Sequence, residues 1–181
     1  MKLSKTERLI LANQFKILEL LDPNEAEGYG NHRIALEDGF TLHYSDAFQN
    51  IWDELPEDEC RYVLDVLDMH RALHFSYEKL KDRAGIEERS IKFSGFDGNN
   101  ETHHMSYCRY FCDRLGRYKE LADHGHEGYN SHMPTLDMYR RMLGAWEAMG
   151  KPHELTKDQI GEVQMARVHP ENKPGEDDSV Q

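Results

Sequence analysis

The chain has little cysteine, no long uncharged run and no excess of positive charge. Its 181 residues include three cysteines, Cys60, Cys108 and Cys112. A small, odd number does not make a disulfide framework, and a reducing cytoplasm is the default compartment. The opening residues, Met1-Lys2-Leu3-Ser4-Lys5-Thr6-Glu7-Arg8, run straight into a charged helical pattern, so neither a secretory signal nor a membrane span is expected. Net charge is -12 at a sequence pI near 5.3, which repels a phosphate backbone and disfavours RNA as a partner. Several signatures are also missing. There is no Gly-x-Ser-x-Gly elbow, no P-loop, and no Gly-x-Gly-x-x-Gly following a strand, so no cofactor is expected.

What remains is helical. Strand-like alternation and internal repeats are almost absent, and short connections join amphipathic segments, which predicts an all-α, single-domain multi-helix bundle over residues 1–167. A chain of this length buries roughly 70% of its unfolded surface. Ser4-Lys5-Thr6-Glu7 has the form of a capping box and opens a first helix that ends at Asp22-Pro23. The apolar residues of that helix, among them Leu9, Ile10, Phe15, Ile17, Leu20 and Leu21, are dense enough for burial on more than one side. Asn24 to Asp38 forms a weaker helix carrying Gly28 and Gly30, and Gly39 suits its cap. A short helix is predicted from Tyr44 to Trp52. Pro56 starts a long helix to Leu80 in which Glu57, Asp58 and Glu59 complement the positive end. Ile91 to Asn100 reads as a loop or one brief strand. Further helices are predicted from Glu101 to Leu121, from Pro134 to Gly150, and from the box Thr156-Lys157-Asp158-Gln159 onward. The acidic segment 168–181 is too polar to pack and is expected to be disordered.

The order of motifs resembles that of the YfbU family of small bacterial proteins over roughly Leu3 to Met165. The matching residues are Glu7-Arg8-Leu9-Ile10-Leu11-Ala12-Asn13-Gln14-Phe15-Lys16, Ala72-Leu73-His74, Gly95-Phe96-Asp97, Gly116-Arg117-Tyr118 and Tyr139-Arg140-Arg141-Met142-Leu143. The resemblance implies a mainly helical fold, a bacterial cytosolic protein and self-association. It brings no catalytic residues.

Candidate chemistry lies in the eleven histidines. His70 and His74 sit one turn apart on the apolar stripe Val63, Val66, Leu67, Leu73, Tyr77, where each imidazole needs a partner. They have two-ligand spacing for a metal, and His104 is a third candidate ligand. A zincin needs glutamate directly after the first histidine, and Arg71 stands there instead. His104, Cys108 and Cys112 share a helix face, with His124, His126 or His132 as a fourth ligand. Residues eight apart are spread over about 12 Å of helix, so these three do not converge on one ion. The cysteines read instead as small core residues. Asp65 and Asp68, one turn apart, could hold magnesium, although exposed acids are the plainer account.

For catalysis the candidates are Arg117, His124 and His74. Arg117-x6-His124 has the arginine-to-histidine spacing of HEPN-type ribonucleases, where arginine stabilises phosphate charge and histidine moves a proton. Here, however, Asp123-His124-Gly125 reads as loop. Arg109, Arg114, Arg117 and Lys119, with Arg140 and Arg141 further on, are the best candidate for a local basic site, although solvated helix faces are the commoner use of such residues. The leading expectation is a non-catalytic homo-oligomer that binds a macromolecular partner, with Tyr139, Trp146 and Met149 as candidate surface residues, although core packing is their commoner use. An RNA-cleaving enzyme and a metal-dependent hydrolase are the alternatives.

Overall fold

A computed structural model describes residues 1–121, 127–169 and 171. Segment 122–126, residue 170 and residues 172–181 lie outside the described residues, so most of the predicted acidic tail lies outside them too. The fold is all-α as expected, and no strand occurs among the described residues. The chain divides into two compact units, Met1–Glu54 and Leu55–Gln181. Its buried side chains form two separate clusters where the sequence pattern suggests one core.

The first unit is a helical hairpin. Helix α1 spans Lys5–Leu21 and helix α2 spans Ala26–Asp38. The predicted capping box closes α1: Glu7 N donates to Ser4 Oγ at 3.2 Å, and Ser4 N donates to Glu7 Oε2 at 2.7 Å. Helix α2 ends where Gly39, at φ 79°, lets its N–H reach the Ala35 carbonyl. Arg33 Nε meets Glu19 Oε1 at 2.6 Å, and Arg8 Nη1 donates to the Leu36 carbonyl at 3.1 Å, so polar contacts lace the two helices. The apolar contribution is small: Ala12, Leu36 and Tyr44 form the buried cluster, with Leu11 and Phe15 packed against it. The predicted helix from Tyr44 to Trp52 is absent. Single 3₁₀ turns at Thr41–His43 and Asp46–Phe48 replace it. The Asp46 carboxylate meets His43 Nδ1 at 3.1 Å, while Tyr44 turns into the cluster.

The second unit is organised on helix α3, Glu57–Lys79, which begins after Pro56 with three acids in its first turn. Val63, Val66, Leu67, Met69, His70, Leu73 and Tyr77 are buried on it. A four-residue turn of helix, α4, covers Glu88–Ile91 and was not foreseen; it is too short to carry a periodic signal. Helix α5 runs only over Thr102–Arg109, not to Leu121. It widens into a π-helical turn at Tyr110–Arg114 and then stops at Gly116, φ 65°, and Tyr118, φ 48°. The reversal is held because Tyr118 donates its hydroxyl to Asp68 Oδ1 at 2.5 Å, beneath an Arg71 guanidinium 3.8 Å above its ring. Helices α6, Leu136–Ala148, and α7, Lys157–Arg167, complete the unit. Arg141 caps α7 by donating to the carbonyls of Ala166 and Arg167. Two candidate surface residues are in fact core: Tyr139 is 0% exposed and Trp146 is 2% exposed, the latter donating its indole N–H to the Pro152 carbonyl. Met149 is only half-buried.

Candidate functional site

Helix α3 places its two histidines in different surroundings. His70 is buried, its Nδ1 2.9 Å from the Ile91 carbonyl, with the rings of Phe93 and Tyr139 at 5.4 and 5.3 Å. It is a member of an aromatic core. His74, one turn later, is half-buried beside Phe75 and lines a cavity of about 360 Å³ with Tyr77, Ile91, Lys119 and Glu120. Glu120 is also the partner of Arg71. Burial pushes the Glu120 carboxyl up, but the Arg71 guanidinium outweighs this and holds it below the usual carboxylate range.

His104 is a third environment. Its Nε2 lies 2.7 Å from Glu59 Oε2, edge-on to the ring of Tyr62, so α5 is pinned to the start of α3. The three candidate metal ligands are therefore distributed rather than gathered. Among the described residues no group of three histidine, cysteine or carboxylate side chains is placed to hold one ion. Asp65 and Asp68 are also drawn apart, Asp65 to Lys151 at 3.3 Å and Asp68 to Tyr118. Cys108 and Cys112 are buried, with Sγ atoms 4.0 Å apart.

Of the candidate catalytic residues, Arg117 is exposed in the turn after Gly116, and His124 and His126 lie outside the described residues. His132 sits in a turn at φ 56°. The basic grouping is also put to other uses. Arg109 donates to the Gly128 carbonyl, Arg140 pairs with Asp137, and Arg141 caps α7.

Sequence reasoning missed the most heavily bonded polar group, Glu101. Its carboxylate is buried and accepts the N–H groups of Asp97, Thr135 and Leu136 at 2.9, 2.7 and 2.9 Å. The Thr135 hydroxyl lies 2.8 Å from the same carboxylate and 3.1 Å from the Gly95 carbonyl. Tyr139 adds its hydroxyl to that carbonyl at 3.0 Å and accepts from Ser94 N at 3.1 Å. This knot fixes Gly95-Phe96-Asp97 against residues 129–131, where Phe96 N and Ser131 N complete an isolated parallel bridge. Gly95, at φ 84°, is required here: a Cβ on it would fall 2.1 Å from the Tyr129 carbonyl oxygen. Asp97 turns its carboxylate to Asn100 and to the Asn99 N–H, which hold it below the usual carboxylate range. The only sequence signal was the position of the Asn-rich stretch before a helix.

With every carboxylate oxygen of Glu101 engaged, the knot anchors a loop and the N-terminal end of α6 and leaves no oxygen to act as a base. Fold and anchors together define an all-α protein in which the buried Glu101 carboxylate joins the 95–97 loop to the start of α6. Residues 1–166 match the family model of the YfbU domain, and the chain belongs to the YfbU family. No helix among the described residues is long and apolar enough to cross a membrane.

Proposed function

We propose that the chain is a non-catalytic, homo-oligomeric helical protein whose copies associate through the outer face of α1, and that the oligomer is the form that meets a macromolecular partner. One observation carries this reading. Leu9, Ile10, Ile17, Leu20 and Leu21 are 62%, 55%, 49%, 78% and 75% exposed. At 3.6 residues per turn they occupy an arc of about 120°, opposite the side that Ala12 and Phe15 turn toward α2. An apolar arc of this density on one helix face marks an association surface, whereas scattered single residues would not.

The occupant is a second copy of the same helix. Lys2 and Lys5 lie at one end of α1, and Asp22 and Glu25 at the other, so an antiparallel, two-fold pairing brings opposite charges together at both ends while the apolar arcs close on each other. Tyr139 and Trp146 have no part in it, being core residues of the other unit.

Size-exclusion chromatography with light scattering on the full chain tests the reading. The wild type is expected to elute at two chains or more, and Ile17→Asp combined with Leu21→Asp to elute as one chain with unchanged helical circular dichroism. A wild type that is monomeric at tens of micromolar, or a double variant that keeps the wild-type mass, would overturn it. Turnover by the untagged wild type that Arg117→Ala abolishes would favour the catalytic alternative.

A further inference from the structure

We propose that Cys108 and Cys112 form a peroxide-reactive dithiol that closes into a disulfide within the α5 segment. The pair was read from the sequence as two small core residues, and packing alone explains its burial. Their i,i+4 spacing puts both thiols on one helix face, and the sulfurs are 4.0 Å apart, within thiol hydrogen-bond reach.

Closure needs a local backbone movement, because Cβ atoms four apart on a helix are about 5–6 Å apart and a disulfide holds them at about 3.5–4.5 Å. Residues four apart on a helix have Cα atoms about 6 Å apart, inside the range of roughly 4.4–6.8 Å that a disulfide spans. The sulfurs must come together by about 2 Å to bond. That movement falls on the one stretch of the segment that is not regular α-helix. Cys112 lies in the π-helical turn Tyr110–Arg114, where the backbone has already left its i→i−4 pattern.

The two thiols are not equivalent. Cys108 is fully buried in the core, and its thiol is pushed up by its neighbour's thiol and by burial. Cys112 is 4% exposed, and its hydrogen-bond pairing with the Cys108 thiol pulls it below the ordinary cysteine range. The Tyr129 hydroxyl, 2.9 Å from Asp113 Oδ1, is a second group beside it. Cys112, the thiol with some exposed surface and the one in the π-helical turn, is the nucleophile, and Cys108 is the resolving thiol.

The oxidant is a hydroperoxide, of which hydrogen peroxide, little larger than water, is the smallest. The Cys112 thiolate attacks the distal oxygen, the O–O bond breaks, and the departing oxygen takes a proton to leave as water or an alcohol. Cys112 is then a sulfenic acid. Cys108 loses its proton and its sulfur attacks the Cys112 sulfur; hydroxide is expelled and leaves as water with that proton. Two thiols are oxidised to one disulfide and one peroxide is reduced, so atoms and electrons balance.

Cys60 is an internal control. It is half-buried, with its Sγ directed to the Leu55 carbonyl, and burial together with Glu57 and Asp58 raises its thiol.

The experiment treats the reduced full chain with a modest excess of hydrogen peroxide, then denatures, alkylates and digests it with trypsin. Cleavage after Arg109 separates the two cysteines, so the disulfide joins peptide 93–109 to peptide 110–114. The expected result is that linked pair, a mass loss of about 2 Da in the intact chain, and a Cys60 that remains alkylatable. In Cys108→Ser, a dimedone probe is expected to label Cys112. Cys108 and Cys112 both recovered alkylated after treatment, or links only between separate chains, would overturn the proposal. Labelling of Cys108 in Cys112→Ser, with none of Cys112 in Cys108→Ser, would overturn the assignment of the nucleophile.

Discussion

The two units of this chain solve the problem of burying apolar surface to very different degrees. In Leu55–Gln181, helix α3 is wrapped so completely that Val63, Val66, Leu67, Met69 and Leu73 have no exposed surface, and Phe96, Tyr139 and Ile160 join them from three other segments. In Met1–Glu54, a hairpin of comparable helical regularity buries little more than Ala12, Leu36 and Tyr44 and leaves six leucines and isoleucines of α1 open. A segment of this size with so thin a core is marginal by itself. Helical propensity and a good cap are common to both units. What separates them is the number of neighbours each helix has, and in the N-terminal unit the proposed oligomer supplies the missing one.

The largest test of this contrast is Gly95→Ala. A methyl group 2.1 Å from a carbonyl oxygen, on a residue at φ 84°, forces the loop off residues 129–131, and a loss of more than about 4 kcal/mol is expected. Near-ultraviolet circular dichroism of the second unit should collapse. Retention of a native spectrum with an unchanged midpoint would mean that the Glu101 knot does not define that core. Next in size is a matched pair of truncations. Leu73→Ala is expected to cost about 3–5 kcal/mol and Leu36→Ala about 2 kcal/mol, because the thinner site can collapse around the lost volume. Trp52 and Trp146, one in each unit, serve as separate fluorescence reporters in single-tryptophan variants. Equal costs with coincident transitions would break the comparison.

The smallest expected effect is electrostatic. In the folded chain Asp97 is held below its ordinary range by Asn100 and the Asn99 N–H, so the stability it contributes is present above about pH 4 and is lost as pH falls. Acid unfolding of the second unit between about pH 5 and 2 should become shallower in Asp97→Asn. An unchanged slope would remove Asp97 from the account.

Much of this was readable in the residues because the relevant physics is local. Ser4 and Thr156 announce their helices through bonds that span three residues, and both capping boxes are formed. His70 was placed in the core by register alone. The density of α1 called for cover on more than one side, while α2 provides it on one. What was not readable depends on distant partners. Glu101 acquires its role from Thr135 and Leu136, 34 and 35 positions away, and the Asn-rich stretch before it marks a helix start without marking a buried acid. The early end of α5 likewise reflects the pull of Asp68 and Arg71 on Tyr118, strong enough to hold a tyrosine at positive φ. Tyr139 and Trp146 resemble interface residues in composition and were separated from them only by packing.

Completion of α1 by a second copy is best read by amide hydrogen exchange on the full chain at two concentrations, one well above and one well below the association midpoint. Protection of α1 is expected to fall on dilution while that of α3 does not change. Protection of α1 that is equally strong at both concentrations, in a chain shown to be monomeric at the lower one, would contradict it.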